Sequence, residues 1–535
     1  MRHWNTRVRS AVSELRPFMA VAVTLLFAAA AHAAAPGIAG TSFSLTAQAN
    51  YISQPDGAAV YSWGYGCASS FRPSFQPATI AHAACPTMQV PGPTLIVTEG
   101  QSVTVTLTNN LPTSAGKTSI LFPGFNLQAF TDGTPGLLTQ EAANGQTVTY
   151  RFTAAAPGTH VYYSGTQGDL QVEMGLYGVV IVLPNAAPTT ACPPHNRAAG
   201  TNASGSALVA NGENDFRLSP TGAAYHVAGS CYDREYLFQF SEIDPLIHRQ
   251  AEEQVGALGN CAATSPTCRL DVATEPYHPA YFMINGRSMP DNMDTNYASQ
   301  YPHQPYNGNP HMHPGDLTLL RVVGTGRWQH PFHEHGNHVR LLARDGNLLL
   351  AQNDTTGTKL AGPLLFTTTT TPGVAMDGIF YWTGKGLNWD AYGHGFAGDT
   401  TACTADANGY YTANPLALNY YEWCADHKIG LEKAPFGQVA SGGPMTLPDA
   451  NILANGAWYG GSPYLGPNAT VRASGPTGTT PPSGTIANSP TDEAGFAFMW
   501  HSHNEREITT NNIFPGGMMM MMLVDSREFV IDESN

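Results

Sequence analysis

Short stretches rich in Val, Thr, Leu and Tyr recur along the chain, punctuated by Gly, Pro and Asn, as in Thr94 to Thr108, Thr147 to Thr153, Val179 to Leu183 and Leu317 to Val323. Such runs predict strands, because β-branched and aromatic side chains suit a pleated surface while the punctuating residues turn the chain. Helical periodicity is nearly absent, and only Pro245 to Leu258 predicts a helix. Many short strands of this kind define an all-β protein of sandwiches or barrels with Greek-key connections.

The punctuation also divides the chain. At about 100 to 200 residues per domain, 535 residues make two or three cores. A first unit is expected over residues 35–184. A stretch rich in Ala, Pro, Asn and Gly over residues 185–224 reads as a linker. A second unit over 225–535 carries strands through Tyr281 to Gly286, Leu317 to Val323 and His338 to Leu350, and finishes with Phe496 to Met499 and Met518 to Val530. Residues 385–492, rich in Gly, Pro, Ser, Thr and Asn, read as an insertion into it.

Export follows from the start of the chain. Four arginines between Arg2 and Arg16, an apolar run from Phe18 to Ala31 and the small-x-small pattern Ala31-His32-Ala33 predict a signal peptide cleaved after residue 33, with the product in the periplasm or outside the cell. No later run is long and apolar enough to span a bilayer. Removing that segment takes away four of 24 basic residues and one of 39 acidic ones, so the formal charge moves from −15 to −18. A surface this acidic disfavours nucleic acid and anionic lipid as partners; it serves solubility and also concentrates cations. The eight cysteines, Cys67, Cys85, Cys192, Cys231, Cys261, Cys268, Cys403 and Cys424, lie outside the histidine clusters. In an exported chain this predicts disulfides, most simply between sequence neighbours, with Cys403 and Cys424 stapling the insertion.

The sharpest chemical signal is His330-Pro331-Phe332-His333-Glu334-His335-Gly336-Asn337-His338. On a strand, residues two apart share a face, so His333 and His335 can address one ion. His501-Ser502-His503 repeats the spacing. Two strands bearing such pairs supply four imidazoles, a set suited to Cu, Zn, Fe or Ni. His311-Met312-His313 reads as a polar strand entrance before Gly315-Asp316.

At these residues the chain resembles the multicopper oxidases, the laccases and related cupredoxin enzymes. Pro91-Gly92-Pro93-Thr94 with Glu99-Gly100 and Asn109-Asn110 looks like the family's first-domain opening, and Gly158-Thr159 through Gly175-Leu176-Tyr177-Gly178 like its second histidine segment. Gly326-Arg327-Trp328 with the His330 run is similar to its third, and Trp500 to His503 with Gly517-Met518 to its fourth. The resemblance implies two cupredoxin-like Greek-key β-sandwich domains, copper as the cofactor and an oxidoreductase acting on a small reducing substrate. It also implies a possible homo-oligomer, trimeric as in two-domain relatives.

Carried over residue by residue, the resemblance departs from the family in both domains. Family histidines fall at Leu121 and Pro123 and at the Tyr163-Ser164-Gly165 segment, the blue-copper cysteine at Ser502, and the last histidine at Glu507. What remains is the second-domain half of the ligand set, His333, His335, His501 and His503, and no blue centre is expected. Glu334, Glu505, His338 or His160 could help hold a second ion. At the vacated blue-copper position, His330, Glu507 and Met518 either make a weaker site or are satisfied within the core. Glu505 and Glu507 are the candidates for moving protons. The rival reading is a non-catalytic copper-binding or copper-tolerance protein.

Overall fold

The structure, a computed structural model, describes residues 35–78, 80–188, 192, 222–385, 404–413, 421–425, 461–464, 495–525 and 531. The expected signal peptide, most of the linker and most of the insertion lie outside the described residues. The described residues form two β-sandwiches.

In the first sandwich, one sheet runs in the order Gly158–Tyr163, Tyr177–Leu183, Leu95–Thr98, Gly37–Ala39, Ser74–Gln76, and the other in the order Ala59–Cys67, Ser42–Ser53, Ser102–Asn109, Thr147–Thr153, Leu127–Asp132. Parallel pairs such as Leu95–Thr98 with Tyr177–Leu183 mark crossovers rather than hairpins. The expected single run Thr94 to Thr108 is two strands, because the chain turns at Gly100, where φ is +84°.

The second sandwich pairs a sheet of Tyr281–Ile284, Arg234–Ile243, Thr318–Gly324, Ala375–Phe380, Val339–Arg344 and Asn347–Leu348 with one of His311–Met312, Met519–Asp525, Gly495–Ser502, His330–Glu334 and Thr367–Thr370. The expected His338 to Leu350 strand is a hairpin, folded at Asp345-Gly346, both with positive φ. Helix Pro245–Leu258 forms where expected, with the Asp244 side chain accepting the Leu246 N–H at 2.9 Å and proline in the first turn.

Burial patterns order the four sheets. Ser102–Asn109 alternates buried and half-buried positions, whereas Tyr177–Leu183, Arg234–Ile243, Thr318–Gly324 and Ala375–Phe380 are buried at every position. Both faces of these strands are covered because the two sandwiches pack on each other. Ile96, Val161, Val179 and Ile181 of the first share a core with Leu237, Val323 and Ala375 of the second. A buried ionic network crosses the same junction: Arg321 pairs with Glu235 and reaches Asp377 at 3.4 Å, and Thr159 of the first sandwich donates to Asp377 at 2.6 Å. The histidine-bearing sheet is therefore the layer farthest from the first sandwich. Its inner face, with Phe332, Phe498, Trp500, Met518, Met520 and Met522, fills the second core.

Three disulfides join sequence neighbours, Cys67 to Cys85, Cys192 to Cys231 and Cys261 to Cys268. Cys424 is also disulfide-bonded, and no described cysteine is free; Cys403 lies outside the described residues. Closing a loop of 18 residues limits the unfolded ensemble, so replacing Cys67 and Cys85 with serine is expected to cost about 3 kcal/mol. Denaturant melts of the variant check this, and an unchanged midpoint would contradict it.

Candidate metal centre

Strand parity decides which histidines meet. In His330–Glu334 the even positions, His330 and Phe332, face the core, and the odd His333 faces outward, followed by His335 just past the strand. In Gly495–Ser502 the even Phe498, Trp500 and Ser502 face the core and the odd His501 faces outward. His333 is paired directly with His501 across the two strands. The ligand nitrogens of His333, His335 and His501 all lie within 4.8 Å of one another, and the Nε2 atoms of His335 and His501 are 3.2 Å apart. The His503 ring lies 4.8 Å from that of His333, and its side chain is half exposed, so it stands at the open side of the group.

The ring orientations are set by second hydrogen bonds. His333 Nδ1 lies 2.6 Å from Thr367 Oγ1, and His501 Nδ1 lies 2.7 Å from the Ser502 carbonyl oxygen, which holds both rings in place and turns His501 Nε2 toward His335 Nε2. The Trp500 indole N–H donates to the His335 carbonyl at 2.8 Å and fixes the turn that carries that residue. Burial, and the like charge that His335, His501 and His503 would carry, push the His333 pKa down to about 3; burial also lowers that of His501. These two imidazoles are neutral at pH 7, the form that binds metal. A set of neutral nitrogen donors with hydrogen-bonded outer nitrogens fits copper.

The other candidates stand apart. His330 faces the core, where Nδ1 lies 2.8 Å from Glu507 Oε2 and Nε2 2.8 Å from Glu242 Oε2. With both nitrogens bound to carboxylates, none is left for an ion, and Met518 packs in the core; the expectation of His330 as a ligand, and of a second site with Glu507 and Met518, is corrected on this geometry. Ser502 Oγ donates to the same Glu507, and Glu242 also accepts the backbone N–H groups of Arg327 and Trp328 and the Tyr277 hydroxyl. Burial alone would lower the His330 pKa, but hydrogen bonds and charge from Glu242 and Glu507 raise it to about 9, so the ring is an imidazolium.

His338 is half-buried, edge-on to Phe366, and lies outside the group of three. Glu334 points into the core, where burial raises its pKa to about 8 and Thr368 Oγ1 donates to it at 3.1 Å, so it faces away from the histidines. His160 packs on Phe125 in the first sandwich and against Gly346. Glu505 is exposed, 4.0 Å from His503. Neither Thr367 nor Glu242 was singled out in the sequence: Thr367 opens a run of five threonines, and Glu242 sits 88 residues before the histidine it holds.

Leu121 and the Tyr163-Ser164-Gly165 segment, where the resemblance implied histidines, lie together elsewhere. Leu121 bridges Tyr163, its N–H donating to the Tyr163 carbonyl at 2.7 Å. Leu121, Tyr163 and Gly165 line an open pocket of about 330 Å³ with Gly326, Arg327 and Gly373 of the second sandwich. Gly373 lies beyond Thr370, which pairs with His330, whereas Thr367 pairs with His333. The pocket therefore adjoins the far end of the histidine strand, away from the metal centre.

The fold and centre define a two-sandwich, cupredoxin-like protein with an outward-facing histidine site. Residues 76–187 match the family model of the multicopper oxidases. Laccase 1 of Metarhizium acridum is 36% identical over 98 residues, 18% of this chain and 15% of that protein. L-Ascorbate oxidase of Brassica rapa is 38% identical over 96 residues, 18% of this chain and 16% of that one. The matched stretches thus span about 15% of the relatives' length. Among solved structures, the blue copper oxidase of Nitrosomonas europaea overlaps 90% of this chain and 85% of its own at 15% identity and a TM-score of 0.44. The matched family segment covers most of the first sandwich, and all the histidines of the centre lie outside it.

Proposed function

We propose that the protein is an exported copper-binding oxidoreductase of the multicopper oxidase kind, with its metal held by His333, His335 and His501 and with His503 completing the set on the open side. The convergence of three ligand nitrogens within 4.8 Å carries this reading. Copper bound there would supply one-electron redox chemistry. Thr367 and the Ser502 carbonyl orient the rings, and Phe366 shields His333 from one side. A small reducing substrate approaches past the half-exposed His503, where Glu505 can hold or accept a proton. A homo-oligomer, trimeric as in two-domain relatives, is part of the same reading, and light scattering on the purified protein tests it.

One observation favours the second reading, a copper-binding or copper-tolerance protein without catalysis. Where the resemblance puts the family's blue copper, His330 lies clamped between Glu242 and Glu507, which supports a reading without onward electron transfer. Metal analysis with oxygen-uptake assays on phenols, Cu(I), Fe(II) and Mn(II) separates the two; copper without oxygen uptake on any of them selects the second. Because Ser502 offers no thiolate, copper-loaded protein is expected to lack the intense blue charge-transfer band. An intense blue absorption on copper loading would contradict the placement of Ser502.

A further inference from the structure

The open pocket between the two sandwiches plays no part in the copper reading. Leu121, Val161, Tyr163 and Val172 of the first unit and Pro372 of the second give it apolar walls, four of these five side chains being aliphatic. Its volume of about 330 Å³ falls in the range of small-ligand sites, which also favour junctions between domains. Leu138, on the rim, is 64% exposed between strands Thr134–Pro135 and Gln140–Glu141, so a further aliphatic side chain stands at the mouth.

One charge lines this pocket, the guanidinium of Arg327. In a chain with 24 basic and 39 acidic residues, a lone cation on an apolar wall is not a by-product of composition. The arginine is also fixed before any ligand arrives. Gly326 lets the backbone approach Glu242, since a Cβ there would meet its Oε2 at 2.1 Å, and Glu242 Oε1 accepts the Arg327 amide N–H at 2.7 Å. The guanidinium carbon lies 4.1 Å from the centre of the Tyr277 ring, and Nη1 donates to the Thr274 carbonyl at 3.0 Å. Nη2 donates to Glu275 Oε1 at 2.8 Å, but the Glu275 side chain is 71% exposed, so that pair is open to water and yields to a competing anion. The described residues therefore engage two of the five N–H donors. A planar fork held in this way matches a carboxylate. A single guanidinium balances one negative charge, which favours a monocarboxylate over a phosphate.

We propose that the cleft is a binding site for a short aliphatic monocarboxylate of the hexanoate class, with its carboxylate on Arg327 and its chain among Leu121, Val161 and Val172. Such a ligand touches both sandwiches and braces their junction. No bond is made or broken; the step is binding alone. The site goes beyond the function proposed above and does not depend on it, because it needs no copper and lies at the far end of the histidine strand.

The probe is hexanoate labelled with ¹³C at the carboxyl, titrated into the full-length protein. Its carboxyl resonance is expected to shift and broaden, saturating at one equivalent, with acetate and 1-hexanol failing to displace it. Arg327→Gln removes the charge but keeps a planar polar end, and is expected to weaken hexanoate binding at least about tenfold. Gly168, on the pocket wall, has nothing within 4 Å of where a Cβ would stand, so Gly168→Phe adds a ring there without displacing the fold. It is expected to weaken binding to the same degree, and it tests the site independently of how well Arg327→Gln folds. Copper stoichiometry should be unchanged in both variants, whereas His333→Ala with His501→Ala should lose copper and keep hexanoate, so failure of the histidine reading and failure of this one give different results. An unshifted carboxyl signal, equal competition by 1-hexanol, or hexanoate affinity undiminished in either folded variant would overturn the proposal.

Discussion

Replacing His333 and His501 together by alanine is expected to weaken copper binding at least about 100-fold, on the order of 3 kcal/mol, while leaving the fold in place. The two residues are cross-strand partners on the outward face, and together they supply two of the three convergent ligands. The core packs against the other face of the same strands through Phe332 and Trp500, which the substitutions do not touch. Copper titration and circular dichroism on the same samples separate site from scaffold. Undiminished copper stoichiometry in a folded double variant would remove the centre from this account.

The second large effect is expected at His330. Its ring lies fully buried between two carboxylates that are themselves buried, 2.8 Å from each. His330→Ala would leave Glu242 and Glu507 without their shared counter-ion, and breaking a buried pair in this way costs about 3 to 5 kcal/mol. The same cluster fixes a pH dependence. The folded pKa of about 9 lies above the ordinary 6.5, so the folded state holds this proton more tightly than the unfolded one. Its stabilisation is complete below about pH 6.5, declines above that, and is lost as pH rises through 9. Denaturant midpoints measured from pH 6 to 10 should fall for the natural protein and stay comparatively flat for His330→Ala. Parallel pH profiles for the two proteins would show that His330 is not the titrating group.

Much of this was readable from residue spacing. The alternation in Thr147 to Thr153 and the apolar run Val179 to Leu183 became strands, and the helix at Pro245 to Leu258 formed between its capping Asp244 and Gly259. The pairs His333/His335 and His501/His503 could be placed on one face each because their spacing matches the strand period. The same rule, applied to His330, would have set it on the opposite face, since three residues separate it from His333. What spacing could not supply was its partners: Glu242 comes from a strand of the other sheet and Glu507 from the turn Glu505–Ile508, and only the folded sandwich brings them to the ring. Run lengths were overestimated where a glycine or an Asp-Gly pair inside an apolar run turns the chain, at Gly100 and at Asp345-Gly346. The family match and the histidine group also fall in different places: the matched segment lies in the first sandwich, whereas His333, His335 and His501 converge in the second.

The pairing of His333 with His501 also bears on when the centre comes into being. The strands that carry them are separated by more than 150 residues, with residues 385–492 between, and a slip of one residue in Gly495–Ser502 would turn His501 inward and Trp500 outward. Until that late strand is captured in register, His333 and His335 have no third nitrogen within reach. During synthesis the nascent chain therefore carries only a two-imidazole fragment, and the three-nitrogen group arises on closure of the last sheet. Occupancy by an ion would then act as a proofreader of strand register, since it rewards the correctly closed chain and no other.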